Sequence, residues 1–248
     1  MSELVLGLFS GIGLLDSGFE RAGYCVVRGP DLIYGGDVRS FNPPAGKFDG
    51  VIGGPPCQDF SKARGALAPT GDGLAMLNKF VRCVEAAQPV WWLMENVSGV
   101  PDVQIDGYSW QRLDLYANEF GVSQRRLRHI QFGSNDGTAL VRHSSSTKST
   151  GQVTPTILAT DDTPISEMAV QQGLDPSFDI PPFTRAALRR AMGNGVPAGM
   201  ASALASMVRD RGPAHSVRLC GCGCGRVIGE RKTFAGGTCR MRVHRRKA

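Results

Sequence analysis

Residues 4–13 read LVLGLFSGIG: an apolar run, Leu4–Phe9, breaks into Ser10-Gly11-Ile12-Gly13. An apolar run without alternation, ended by a glycine turn, fits a strand buried on both faces. The helical spacing of Leu14–Ala22, closed by Gly23, then predicts a helix directly behind the turn. Outward from this unit the pattern repeats. Tyr24–Arg28 is a second strand with Gly29-Pro30-Asp31 behind it, and Phe48–Ile52 (FDGVI) a third, running into Gly53-Gly54-Pro55-Pro56. Leu74–Ala87 has helical spacing, Val90–Met94 (VWWLM) reads as a buried strand, and Ala186–Met192 and Ala198–Arg209 read as helices. Strands alternating with helices make βαβ units and a mostly parallel α/β sheet. Ligands then bind at the carboxyl ends of the strands, in the turns after Phe9, Arg28, Ile52 and Met94.

The first turn is not a dinucleotide fingerprint, because its sixth position is Asp16, and no Gly-Lys-Ser/Thr follows to make a P-loop. Asp31 stands 20 residues beyond Gly11, where an acid can take ribose hydroxyls. A nucleoside without a pyrophosphate suits such a turn; an ordinary strand–helix turn is the alternative. Gly53-Gly54-Pro55-Pro56-Cys57-Gln58 forms a rigid loop that presents Cys57 where ligands bind. Cys25 and Cys83 sit in apolar stretches and are assigned to the core. None of the four histidines is near Cys57 in sequence, which disfavours a Cys–His hydrolase. Glu95, behind VWWLM, is a carboxylate beside apolar surface, where desolvation favours the protonated form and a role as an acid.

The chain has 248 residues, 42% hydrophobic and 20% charged, enough for one large domain with a packed core plus a small appendage. It contains no apolar run long enough for a membrane span, and MSELVLGLFSG lacks the features of a signal peptide, so a cytoplasmic protein is expected. The net charge of +6 is uneven. Residues 209–248 hold 11 Lys and Arg against 2 Asp and Glu, a balance of +9, which leaves −3 for the first 208. Such asymmetry predicts a nucleic-acid-facing tail on a near-neutral body. The same tail holds Cys220, Cys222, Cys224 and Cys239, a clustering that favours metal over disulfides where no export signal is seen.

Five segments occur in order: FSGIGLLDSGFERAGY (9–24), GGPPCQDFS (53–61), ENV (95–97), GYSWQRLDLYANEFGVSQRRLR (107–128) and GNGVPAGMASALA (193–205). The set resembles the DNA (cytosine-5)-methyltransferase family across most of residues 4–208. The resemblance implies a Rossmann-like methyltransferase fold with S-adenosylmethionine as cofactor. Phe9, Gly11 and Gly13 would line the cofactor turn, Asp31 would take the ribose and Asp37 the adenine amino group, with Pro55 and Asn194 completing the pocket. Cys57 would add to C6 of a flipped-out cytosine, making C5 nucleophilic towards the methyl group. Glu95 at N3, and Arg126 and Arg128 at O2, would neutralise the developing charge. As alternate residues of a strand the two arginines are expected on one face. The expected partner is duplex DNA, acted on by a monomer. An RNA cytosine-5 methyltransferase and a non-catalytic DNA-binding regulator are the alternatives.

Only 32 residues, 133–164, stand where the family places a much larger target-recognition region. They include Asn135, Arg142, His143 and Lys148 as groups able to read bases, and VTPTIL, which looks like scaffold. A recognition site of two or three base pairs is therefore expected, since each base contact contributes about 1–3 kcal/mol of discrimination. The expected organisation is a catalytic domain over 1–208, a linker over 209–219 and a zinc-ribbon-like module over 220–248. Two of Cys220, Cys222 and Cys224, with Cys239 and His244, would give a tetrahedral zinc site. The ending CRMRVHRR (239–246) resembles small zinc-ribbon tails, with Ala235 at their usual third cysteine.

Overall fold

The computed structural model describes residues 2–61, 68, 70–141, 153–158, 162–181, 183–229 and 232–247. Six strands form the central sheet: β1 (Leu4–Leu8), β2 (Cys25–Arg28), β3 (Gly50–Gly53), β4 (Trp91–Asn96), β5 (Ser109–Tyr116) and β6 (Leu127–Ser134). Their order is β2-β1-β3-β4-β6-β5. Parallel ladders join β2, β1, β3 and β4, and β6 runs antiparallel between β4 and β5. The chain leaves β1 for β2 on one side and returns for β3 on the other. A crevice opens at the carboxyl ends of strands where the order reverses in this way.

Side-chain alternation divides the core between the two faces. Val5, Ile52, Trp91 and Leu93 pack with Leu15 and Phe19 of α1 (Leu14–Arg21) and with Met200 and Leu204 of α5 (Ala198–Arg209). Leu6, Val51, Trp92 and Met94 pack on the other face with Met76, Leu77 and Phe80 of α2 (Asp72–Ala87). WWLM is thus apolar throughout because both faces are covered. Helices α1 and α5 touch backbone to backbone at Gly18, where a Cβ would come within 2.5 Å of the Ala201 carbonyl carbon. Cys83 is buried as expected, but Cys25 is exposed. It lies on β2, the sheet's outer strand, where an apolar neighbourhood in sequence does not provide a covering layer.

A third cluster joins Ile157 to Ile165 and Met168 of α3 (Ile165–Gln171) and to Leu188 and Met192 of α4 (Arg185–Asn194). VTPTIL is scaffold in this sense: Thr154 bridges to Gln124, and the Arg125 N–H donates to the Thr154 carbonyl at 2.8 Å. Of the base-reading candidates, Arg142, His143 and Lys148 lie outside the described residues. The segment read as a linker is anchored. Its β8 (Gly212–Pro213) pairs with β7 (Thr138–Ala139), and Arg211 donates to Glu3 at 2.9 Å while lying over the Trp91 ring. Among the described residues no helix is long and apolar enough to cross a membrane. The last helix, α6 (Gly237–Lys247), carries the basic end of the chain.

Candidate active site

A cleft of about 240 Å³ opens at the carboxyl ends of β1, β3 and β4. Its walls include Phe9, Gly11, Asp31, Asp37, Pro55, Cys57, Glu95, Arg128 and Asn194, so nine of the expected site residues meet there. Phe9, leaving β1, has φ 55°, a left-handed conformation that a non-glycine residue adopts only where its surroundings hold it. Gly11 continues the turn at φ 54°, and its N–H donates to Asp31 Oδ2 at 2.9 Å. Asp31 Oδ1 accepts from the Ile33 N–H, also at 2.9 Å. One carboxylate therefore braces the turns after β1 and β2, and each oxygen keeps a lone pair for a further donor such as a ribose hydroxyl.

Asp37 accepts from the Arg39 N–H at 2.8 Å and pairs with its guanidinium at 3.2 Å, contacts that hold its carboxyl below the usual range. Leu32 and Ile33 also line the cleft and are exposed, so they offer apolar surface to a flat ring. Among the described residues Arg128 is the one cationic side chain of the lining, and it is paired with Glu95. No second cation among them is left for a phosphate. The residues present fit a nucleoside without a pyrophosphate, as S-adenosylmethionine is.

The other half of the cleft carries the reactive groups. Cys57 ends the Gly-Gly-Pro-Pro loop, and burial together with the Glu95 charge raises its thiol pKa, against the pull of Arg128 and Arg126. Glu95 is buried at the end of β4, its Oε1 2.7 Å from Arg128 Nε. Gly54 lets the cysteine loop approach this pair, since a Cβ there would lie 3.2 Å from Glu95 Oε2.

Two expected residues do not line the cleft. Gly13, at φ 78°, caps α1 with its α-carbon side against the Arg28 guanidinium, where a Cβ would lie 3.0 Å away. Its part is to shape the turn. Arg126 stands behind the cleft wall, close enough to Arg128, Glu95 and Cys57 to act on them electrostatically. It precedes β6 in a tight turn, its N–H donating to the Gln124 carbonyl. Its fully buried guanidinium donates to the carbonyls of Ile157 at 3.0 Å and Gly193 at 2.8 Å, fastening the segment before Asn194 to the sheet. Burial and the Arg128 charge push its pKa down to about 9, so it remains a cation at neutral pH. An Arg126→Met substitution is expected to destabilise the fold by about 2–5 kcal/mol, because two buried carbonyls lose their donors. Urea denaturation checks this, and an unchanged midpoint would show the two bonds to be dispensable.

Three residues of the site were not singled out from the sequence. Asn96, inside the quoted ENV, donates to the Pro55 carbonyl at 3.0 Å and accepts from the Val97 N–H at 2.8 Å, tying β4 to the cysteine loop. Asp59 accepts from the Thr70 and Gly73 N–H groups at 2.9 Å each, joining the Cys57 turn to the start of α2. Asp16 also lines the cleft, buried beside Arg28 Nε at 3.3 Å. Its signal was its place in the glycine turn.

The four tail cysteines meet elsewhere. Their Sγ atoms lie within 4.8 Å of one another, so all three of Cys220, Cys222 and Cys224 join Cys239, where two and a histidine were expected. The Cys-Gly-Cys-Gly-Cys run turns through Gly223 (φ 76°) and Gly225 (φ 64°), which lets closely spaced thiols converge. The side chain of His244 lies outside the described residues.

The doubly wound sheet, with its cleft at the reversal of strand order, is the Rossmann-like fold of S-adenosylmethionine-dependent methyltransferases. The chain belongs to the C-5 cytosine-specific DNA methylase family, whose model matches residues 34–164. It is 30% identical over 161 residues to Type II methyltransferase M.NgoPII of Neisseria gonorrhoeae, across 52% of this chain and 47% of that protein. It is 34% identical over 177 residues to Type II methyltransferase M1.HphI of Haemophilus parahaemolyticus, across 55% and 47%. The chain thus spans about half the length of the curated relatives it matches. In fold it is similar to a putative DNA modification methyltransferase from a prophage of E. coli (TM-score 0.64, 17% identity, 84% of this chain and 99% of that one). Entamoeba histolytica methyltransferase EhMeth is similar too (TM-score 0.62, 13% identity, 85% and 98%).

Proposed function

We propose that the protein methylates C5 of cytosine in duplex DNA. The observation that carries this is the convergence, in one cleft, of a half-buried thiol, a carboxylate–guanidinium pair and a pocket suited to a nucleoside without phosphate. S-adenosylmethionine, when bound, supplies an electrophilic methyl group on a sulfonium. Phe9, Gly11, Asp31, Asp37, Pro55 and Asn194, which line the cleft, would hold it, and Leu32 and Ile33 would offer apolar surface to its base.

The cytosine enters the half of the cleft around Cys57, flipped out of the duplex at a cost of a few kcal/mol. The Cys57 thiolate adds to C6, and the electrons of the C5–C6 double bond become available at C5 for the methyl group. Glu95, on taking up a proton, donates it in a hydrogen bond to N3, and the Arg128 guanidinium donates to O2, where negative charge accumulates as the thiolate adds. Loss of the C5 proton to solvent water then restores the C5–C6 double bond and releases Cys57 as the thiolate. Arg126 and Asn96 position these groups. A structural zinc ion in the four-cysteine cluster completes this reading.

The short stretch 133–164 supports a recognition site of two or three base pairs. Bisulfite sequencing of DNA from cells expressing the protein is expected to reveal methylated cytosines in such a consensus. Four or more fixed bases would contradict the short site. With purified protein, label from S-adenosylmethionine is expected in duplex DNA; label in tRNA but not DNA would replace the substrate.

A further inference from the structure

The four-cysteine cluster has the dimensions of a metal centre. Cys220 and Cys222 Sγ are 3.5 Å apart, Cys224 and Cys239 Sγ 3.9 Å. Tetrahedral zinc with sulfur ligands at about 2.3 Å needs sulfur–sulfur separations of about 3.8 Å. The thiols are buried with only Ile228, Phe234 and Val243 as apolar company among the described residues, too little for an independent core. The Ala235 N–H donates to Cys220 Sγ at 3.1 Å, the kind of outer contact that orients a thiolate ligand.

This cluster is built against the catalytic sheet. Strand β5 is the sheet's outer strand on that side, and the knuckle pairs with its free edge. The Arg112 N–H donates to the Gly225 carbonyl at 2.7 Å, the Val227 N–H to the Arg112 carbonyl at 3.2 Å, and Val227 packs on the main core. Gly225 lies against Trp110 so closely that a Cβ would come within 2.2 Å of the ring. Arg226, between them, spans the two units. Its Nη1 is 3.7 Å from Cys224 Sγ and 3.6 Å from Cys239 Sγ, and its Nε is 3.4 Å from Asp114 Oδ2 on β5. Asp114 in turn pairs with Arg112 at 3.1 Å, and Arg112 reaches Asp102 at 2.8 Å and the Ser98 carbonyl at 3.1 Å. Ser98 follows Glu95-Asn96-Val97 directly.

We propose that zinc in this centre does more than fold the tail: through Arg226 it fastens the basic module to β5, making the module a fixed part of the catalytic sheet. Four thiolates around Zn²⁺ would carry a net charge of −2, and among the described residues Arg226 is the cation that lies against two of these sulfurs and also holds Asp114. Without the metal nothing holds Cys224 and Cys239 together beside Arg226, so the Arg226 bridge from the knuckle to Asp114 loosens and the edge pairing opens. The inference rests on the zinc reading, and the two fail separately.

The test uses the full chain. Metal analysis by mass spectrometry is expected to find about one zinc per chain in the parent and in Arg226→Met, and well under half in Cys239→Ser. Amide hydrogen exchange at Arg112 and Val227 is expected to be slow in the zinc-loaded parent. It should accelerate by roughly tenfold or more on chelation, in Cys239→Ser and in Arg226→Met, while β1, β3 and β4 stay protected. Because chelation acts on the unmutated protein, the test stands even where a variant fails to fold. Less than half an equivalent of zinc in the parent, or an iron–thiolate absorption band instead, would overturn the metal assignment. Zinc present with exchange at Arg112 and Val227 unmoved by chelation would overturn the coupling alone. Unmoved exchange in Arg226→Met would remove Arg226 from it.

Discussion

A Cys57→Ala protein transfers methyl groups at least about 10⁴-fold more slowly than the parent, because no other described group lining the cleft can add to C6. Its affinity for S-adenosylmethionine, measured by calorimetry, stays within about twofold, since the thiol is placed on the cytosine side. Glu95→Gln also loses turnover, by about 10²–10⁴-fold, yet it shifts the thiol in the opposite sense to its activity. Burial and the Glu95 charge raise the Cys57 pKa, and Arg128 and Arg126 lower it. Removing the Glu95 charge therefore lowers that pKa and enlarges the thiolate fraction at any pH below it. Arg128→Met removes a stabilising cation and does the reverse. At pH 8 the Cys57 peptide should be alkylated by iodoacetamide several-fold faster in Glu95→Gln than in the parent, and more slowly in Arg128→Met. Peptide-level mass spectrometry separates this from the exposed Cys25. Full methylation by Cys57→Ala would end the covalent mechanism. Slower alkylation in Glu95→Gln would show that the carboxylate does not act on the thiol electrostatically.

The parts of this site that lie on local pattern were legible without coordinates. A strand buried on both faces, a glycine turn and an amphipathic helix each leave a signal within about ten residues, and these placed Phe9, Asp31, Cys57 and Glu95 at strand ends. What was not legible depends on partners far along the chain. Arg126 and Arg128 of QRRLR read as equivalent, but Arg126 is claimed by the carbonyls of Ile157 and Gly193, 31 and 67 residues away. The antiparallel insertion of β6 between β4 and β5 has no local signal either. Polar Arg112, His129 and Gln131 are buried there because Asp102, Asp114 and the Val103 backbone surround them. The tail shows the same division. Cysteine clustering was plain in the sequence. That all four cysteines converge depends on the fold of the glycine-spaced knuckle and on the start of α6, which carries Cys239.

Neutralising the basic residues of α6 should weaken DNA binding strongly while leaving the cofactor site intact. With Arg240, Arg242, Arg245, Arg246 and Lys247 replaced by glutamine, the tail loses five of its 11 cations. The catalytic body, at −3, has little attraction of its own for a polyanion beyond its local arginines. Each phosphate that the protein no longer neutralises reduces the slope of log K against log[salt] by about 0.9, so the slope should become shallower by up to about 4–5. Substitution is the sharper experiment than truncation, because truncation would also strip the knuckle from β5 and expose Trp110 and an unpaired edge. Fluorescence anisotropy with a short duplex over a salt series measures the slope, and calorimetry with S-adenosylmethionine supplies the control. If Arg226 holds the module in place, its zinc-free form should reproduce part of the same loss with every α6 cation still present. Charge alone would then not suffice, and its fixed position at the edge of the sheet would be part of the affinity. An unchanged slope in the five-fold variant would instead assign phosphate binding to the body, and the uneven charge of the chain would have no part in binding DNA.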